Sequence, residues 1–222
     1  MQTGLEPPTA HRILKGLIGE GMVMQSAQTR RYHLGNMIYE LGLAATPGSN
    51  FRDLCRPSLE RLAGATGDTI FLNVRSGADA VCIDRTEGSF PVKTLTVDVG
   101  ARRPLGVGSG TLAILGSLPD EELREVIAMN KRRYGIYGGL DATSVLRMAL
   151  RCRERGFAFD DVLGMSGVNG LGVSIRNKPD FCFAALSIAA IESRMSPRRR
   201  DELVKLLLAE ARAITRALHS EI

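Results

Sequence analysis

The chain has 222 residues, 44% hydrophobic and 24% charged, with 29 Lys and Arg against 24 Asp and Glu for a formal net charge of +5. That length accommodates one or two domains with real cores, and the mild basic excess is compatible with nucleic acid without arguing for it. Cys55, Cys82, Cys152 and Cys182 lie far apart with no CxxC pair, and neither a signal-peptide pattern nor a bilayer-length apolar run is present, so the expectation is free buried thiols in the cytoplasm, no zinc site and no membrane.

Pro7, Pro8 and Thr9 stand where a helix starts, since proline tolerates the first turn and threonine can cap it. Ala10, Ile13, Leu14, Leu17 and Ile18 then recur with helical period, and Gly19 and Gly21 offer a left-handed exit. The opposite face carries His11, Arg12 and Lys15, with Thr9 near the helix N-terminus. Met22 to Gln25 and Arg30 to Leu34 read as short strands around the turn Ser26 to Thr29. Helix, hairpin, Gly35 and a new helical run from Asn36 to Ala45 form the second half of a winged helix-turn-helix. In that motif the second helix reaches base edges in the major groove, so Thr9, His11, Arg12 and Lys15 are the candidate readers of DNA, with Arg30 and Arg31 of the hairpin on phosphate or minor groove.

Thr46 to Asn50 breaks the pattern and marks a linker, giving a partial DNA-binding domain over 1–46 and a second domain over 50–222. Asn50 is a candidate cap for a helix from Phe51 to Ala65, in which Pro57 introduces a kink. Thr69 to Arg75 and Ala80 to Thr86 form a hairpin, and Val92 to Val97 reads as a third strand. Helices are expected over Asp120 to Met129 and Asp141 to Arg155, and strands over Phe157 to Asp160, Gly170 to Arg176 and Phe181 to Ala189. Ser196 caps a last helix with Pro197 at its first position and a stripe of Leu203, Leu206, Leu207, Ile214 and Leu218. The fold class is α+β, with a mostly antiparallel sheet flanked by helices.

Leu105 to Thr111, LGVGSGT, is the stretch most suited to a ligand. Its glycines let backbone approach closely, and the helix that follows points unpaired N–H groups outward, a ready site for a carboxylate at Gly108, Ser109 and Gly110. Ser109 and Thr111 add hydroxyl donors. The pattern lacks the third glycine and the βαβ setting of a dinucleotide fingerprint. The histidines are three, His11, His33 and His219, and no HExxH or GxSxG occurs, so neither an enzyme, a cofactor nor a metal is expected.

GLEPPTAHRILKGLIGEG followed by RRYHLG resembles the recognition helix and wing of IclR-type bacterial transcriptional regulators. ELG at Glu40 to Gly42, RPSLERLAGATGDTIFL, ARRPLG, RERGFAFDD and AALSIAA continue the resemblance in the family's order over nearly the whole chain. It implies a GAF-like effector domain, homodimers or tetramers, a double-stranded DNA operator and an effector beside the glycine loop. By position it adds Asp160, Gly170 and Ser187 to the ligand contacts, Asp160 for a hydroxyl or amine at the far end of a small carboxylate. Many members carry cysteine where Gly170 stands, serine where Ala189 stands and lysine where Leu112 stands. The resemblance therefore implies a roomier, less polar pocket without a side-chain cation. It also implies about two helices ahead of Met1, so the expectation is that the chain binds DNA once its N-terminus is completed. The alternative is a sensor module that has lost DNA binding.

Overall fold

The computed structural model describes residues 4–44, 51–160, 167–178 and 181–220, and the chain divides into two units, Met1–Asn50 and Phe51–Ile222. In the first, α1 runs Pro7–Gly19 with Glu6 at its N-cap and no side-chain cap. Thr9, expected as the cap, lies inside the first turn; the locked φ of Pro7 starts the helix instead. The left-handed exit is at Gly21, φ 67°, and Gly19 remains helical. Strands β1 (Val23–Gln25) and β2 (Tyr32–Leu34) pair antiparallel with Val23 opposite Leu34. Their turn is closed by the Ser26 N–H donating to the Arg31 carbonyl at 2.9 Å, with Arg30 at φ 58°. Gly35 donates to the Met22 carbonyl and has no room for a side chain, because a Cβ there would lie 1.9 Å from the Gly21 oxygen. Helix α2 follows over Asn36–Ala44. The linker Thr46 to Asn50, including the Asn50 cap, lies outside the described residues.

The second unit opens with α3 (Phe51–Thr66), which carries Pro57 internally. A six-stranded antiparallel sheet follows in the order β5-β4-β3-β8-β7-β6. The strands are β3 (Thr69–Ser76), β4 (Asp79–Thr86), β5 (Arg102–Pro104), β6 (Ala158–Asp160), β7 (Val168–Lys178) and β8 (Phe181–Ile191). Alternation along the strands separates two faces. Ile70, Leu72, Leu171, Val173, Leu186 and Ile188 point to the side covered by α3 and the last helix, α7 (Pro197–Ser220), where they meet Cys55, Leu59, Leu62, Leu203 and Leu207. The other side receives α4 (Ser109–Gly116), α5 (Asp120–Tyr134) and α6 (Ala142–Arg155). Buried carboxylates lock the outer connections. Asp68, before β3, takes Arg194 at 2.8 Å and Arg199 at 2.7 Å, and Asp84 on β4 takes Arg56 of α3 at 3.1 Å.

The strand expected at Val92 to Val97 is absent, and β5 stands further on. Backbone carbonyls in this segment are satisfied by side chains rather than a ladder: Arg85 donates to Val97 O and Arg103 to Thr96 O. Thr94 Oγ1 in turn donates to Ala189 O at 2.6 Å, pinning the segment to β8. Helix α5 continues past Met129 because Tyr134, fully buried, donates its hydroxyl to the Leu105 carbonyl at 2.9 Å. Asp141 and Ser144 form a reciprocal capping box at the start of α6, and Gly156 closes it in the left-handed region. Ser196 accepts the Arg199 N–H at the start of α7. Leu206, expected in that helix's buried stripe, is 38% exposed, and Val204 and Ala211 are buried in its place.

Candidate functional site

Helix α4 can lie against the central strands because the sheet beneath its first turn is built from small side chains. Gly170 and Gly172 alternate on β7, and Ala185, Ser187 and Ala189 alternate on β8. A Cβ on Gly172 would lie 2.3 Å from the Ser109 carbonyl oxygen, and one on Gly110 would lie 2.5 Å from Nδ2 of Asn73 and 2.9 Å from Oγ of Ser187. The chain turns into this position through Gly106 and Gly108 at φ 98° and 101°, a region that favours glycine. All eight residues of α4 are buried.

The first intrahelical bond of α4 runs from the Leu112 N–H to the Gly108 carbonyl at 2.8 Å. The N–H groups of Ser109, Gly110 and Thr111 precede it and have no acceptor within the helix. The same three residues line a cavity of about 110 Å³ bordered also by Asn73, Arg103, Asn169, Gly170 and Ser187, with Phe71, Val97 and Val168 on its apolar walls. Asn73 Nδ2 donates to Ser187 Oγ at 3.5 Å, and both residues are buried. Among the described lining residues Arg103 is the one charged side chain and none is acidic. Unpaired N–H groups, a helix N-terminus and a guanidinium together favour an anion.

Gly108, Ser109, Gly110, Thr111, Gly170 and Ser187 all line this cavity. Asp160 lies on β6 with its backbone opposite Gly170, and its side chain falls outside the described residues. Three expectations are corrected. The Thr111 hydroxyl donates to the Gly108 carbonyl at 3.0 Å, so its proton serves the helix start rather than a ligand. The cavity does have a side-chain cation, because Arg103 on β5 supplies it while Leu112 is 1% exposed in the core. Gly170 does not widen the pocket either: the space its side chain would take is filled by Ser109, whose Oγ lies 2.6 Å from a Cβ built there. Asn73, Asn169 and Arg103 were missed. The signal for Asn73 was an amide within the apolar run TIFLNV, and for Arg103 its place in the quoted ARRPLG.

In the first unit His11, Arg12 and Lys15 are exposed along α1, Thr9 is half-buried, and Arg30 and Arg31 are exposed at the end of the hairpin. Nothing in α1 is fully buried. Among the described residues no His, Cys, Asp or Glu cluster could hold a metal ion, and no helix is long and apolar enough to cross a membrane.

The profile of the family described as Bacterial transcriptional regulator IclR C-terminal matches residues 44–216. The chain is similar to the HTH-type transcriptional repressor AllR of Klebsiella pneumoniae, 28% identical over 211 residues that span 95% of this chain and 77% of the repressor. Among solved structures, an ICLR transcriptional regulator from Silicibacter sp. TM1040 superposes with a TM-score of 0.87 at 20% identity, covering 97% of this chain and 85% of that one. An IclR homolog from Microbacterium hydrocarbonoxydans complexed with 4-hydroxybenzoate gives a TM-score of 0.75 at 22% identity, covering 97% and 87%.

Proposed function

The chain belongs to the IclR family of bacterial transcriptional regulators, and we propose that it binds operator DNA through its first unit under the control of a small carboxylate effector held in the α4 cavity. Its relatives are transcriptional regulators rather than enzymes. The observation that carries the effector assignment is the cavity itself: three backbone N–H groups without helical acceptors and the guanidinium of Arg103 border one space with no acidic residue among its described lining. A 4-hydroxybenzoate complex of a similar protein supports a small organic acid. The exposed row His11, Arg12 and Lys15 supports α1 as the helix that enters the major groove, with Arg30 and Arg31 on the flanking backbone.

A homodimer or a tetramer of such dimers suits this role, because two recognition helices on adjacent half-sites double the contacts and define their spacing. The effector changes DNA affinity only to the extent that it binds the two arrangements of the protein unequally. The test is a panel of small acids with their matching amides, benzoate and benzamide among them, read by thermal shift and by anisotropy of labelled promoter DNA. An acid that raises the melting temperature and changes DNA affinity while its amide does neither is the expected result. A panel with no active acid removes the effector assignment. Acid binding without any DNA binding favours a sensor module instead.

A further inference from the structure

Asn73 is a polar residue in an apolar strand. It stands between Leu72 and Val74 of β3, and Phe71, two residues before it, lines the same cavity. Asparagine is depleted in strands, and a buried amide costs free energy unless its donors and acceptors are answered. Asn73 is 8% exposed, and its amide makes one hydrogen bond, from Nδ2 to Ser187 Oγ at 3.5 Å, the long limit for such a contact. A carboxamide has two N–H donors and an oxygen with two lone pairs, so that bond leaves the oxygen and one N–H unused. The hydroxyl of Ser109, equally buried, has no partner among the described residues. Among those residues the wholly enclosed side-chain oxygen or nitrogen without a partner is Thr86 Oγ1 of β4. The Asn73 oxygen and the Ser109 hydroxyl are therefore not sealed in packing; they are open to the cavity that both residues line.

These groups lie against the helix start. A Cβ on Gly110 would be 2.5 Å from Asn73 Nδ2, 3.3 Å from its Cγ and 2.9 Å from Ser187 Oγ. With a carbon–carbon bond of ~1.5 Å, Nδ2 and Oγ both stand within about 4.5 Å of the Gly110 Cα. Resting on the carboxylate reading above, we infer that Asn73 sets effector specificity by selecting acids that carry a hydroxyl on the second or third carbon. A carboxylate has acceptors only, so one seated at the start of α4 takes hydrogen bonds and returns none to the Asn73 oxygen. A hydroxyl gives that oxygen its proton and can accept an N–H in return. A keto oxygen at the same place accepts only. An ammonium donates, but no carboxylate faces it among the described lining residues, and Arg103 shares the cavity. Reach agrees with this: bonds of ~1.5 Å put such a hydroxyl about 2–4 Å from the carboxyl carbon, the scale of the gap between helix start and amide.

The experiment is calorimetric titration of the full chain with matched acids: lactate against propanoate, 3-hydroxybutanoate against butanoate, and mandelate against phenylacetate. In at least one pair the hydroxy acid should bind about three- to tenfold more tightly, the size of one neutral hydrogen bond. Asn73→Leu, close in shape and without polar atoms, should bring that hydroxy acid to the level of its plain partner while the plain acid binds as before. Equal affinity within every pair on the unaltered chain overturns the inference without relying on any variant. A hydroxyl preference that survives in Asn73→Leu overturns it too, as does tighter binding of pyruvate or alanine than of lactate, or heat from none of the pairs. The broader carboxylate reading is judged separately by the acid panel, where binding of any acid without a hydroxyl sustains it.

Discussion

Ser109 and Gly170 fill one volume: a Cβ built on Gly170 would lie 2.6 Å from the Ser109 hydroxyl and 3.1 Å from its Cβ. The first residue of α4 thus sits where a strand side chain would otherwise stand, and that exchange brings a helix start, rather than a strand surface, to the cavity. The neighbouring glycine on the same face makes a different contact. At Gly172 the atoms in the way are backbone, the Ser109 carbonyl at 2.3 Å and 2.6 Å and the Gly110 nitrogen at 3.0 Å.

The two glycines should therefore answer substitution differently. Gly170→Ala meets a side chain that can rotate, so stability should change by no more than about 1 kcal/mol while effector affinity falls as Ser109 leaves its position. Gly172→Ala pushes on backbone and should lose about 3 kcal/mol, because α4 must lift from the sheet. Urea midpoints of the two variants, at unchanged slope, measure this. Equal losses would mean that α4 is free to shift.

Gly108 should tolerate no side chain. At φ 101° and ψ 153° it occupies a conformation essentially reserved for glycine, so Gly108→Val loses about 1–3 kcal/mol even where space is open. A failure of that variant to bind an acid would thus mix a folding defect with a blocked site. Thermal melts of Gly108→Val and Gly108→Ala should show both lowered.

How far the sequence revealed this arrangement depended on where backbone groups find their partners. The β3–β4 hairpin, the β7 and β8 strands, the cap at Ser196 and the glycine loop were all readable, because each rests on local signals. The segment from Val92 to Val97 carries the same alternating signal, yet Arg85 and Arg103 take up its carbonyls from a distance. For the same reason Arg103 escaped notice as a cavity residue: its role depends on β5 pairing with β4, which a three-residue strand does not announce. Asn73 needed the β3–β8 register, which places it opposite Ala185 and within reach of Ser187.

Acid should weaken the second unit through Asp84. Burial alone would raise this carboxyl; hydrogen bonds from Arg56 and Arg52 and from the Arg85 N–H outweigh it and hold it below the ordinary 3.8. A depressed folded value means the contribution is complete above 3.8 and is lost as the pH falls through the lower folded value. Asp84→Asn should cost about 1–2 kcal/mol at pH 7 and flatten the decline in stability below pH 4. Parallel pH profiles for variant and parent would rule this account out.

The thiols should be silent in the folded chain. Burial pushes Cys55 and Cys152 up to about 12 and Cys82 up to about 11, and it raises Cys182 as well. A thiol reagent at pH 8 should label none of the four at a rate faster than unfolding, then all of them in denaturant. Rapid labelling of one would reveal a local opening.

On DNA, Arg12→Ala and Arg31→Ala should separate reading from anchoring. Loss of a bidentate contact to guanine at Arg12 should cost about 1–3 kcal/mol at the specific operator and little elsewhere. Loss of a phosphate contact at Arg31 should weaken all sequences alike and lower the salt slope by about one. Anisotropy titrations at several salt concentrations distinguish them, and unchanged binding by both would remove α1 and its hairpin from the interface.

The most direct measurement concerns three amides. Proton–nitrogen NMR spectra of the chain, recorded while an acid found in the panel is added, follow the N–H groups of Ser109, Gly110 and Thr111 individually. Hydrogen bonds to a carboxylate should move all three downfield at saturation, and the matching amide should leave them in place. If the acid binds while these resonances stay still and others move, the anion lies elsewhere and the α4 cavity is not its site.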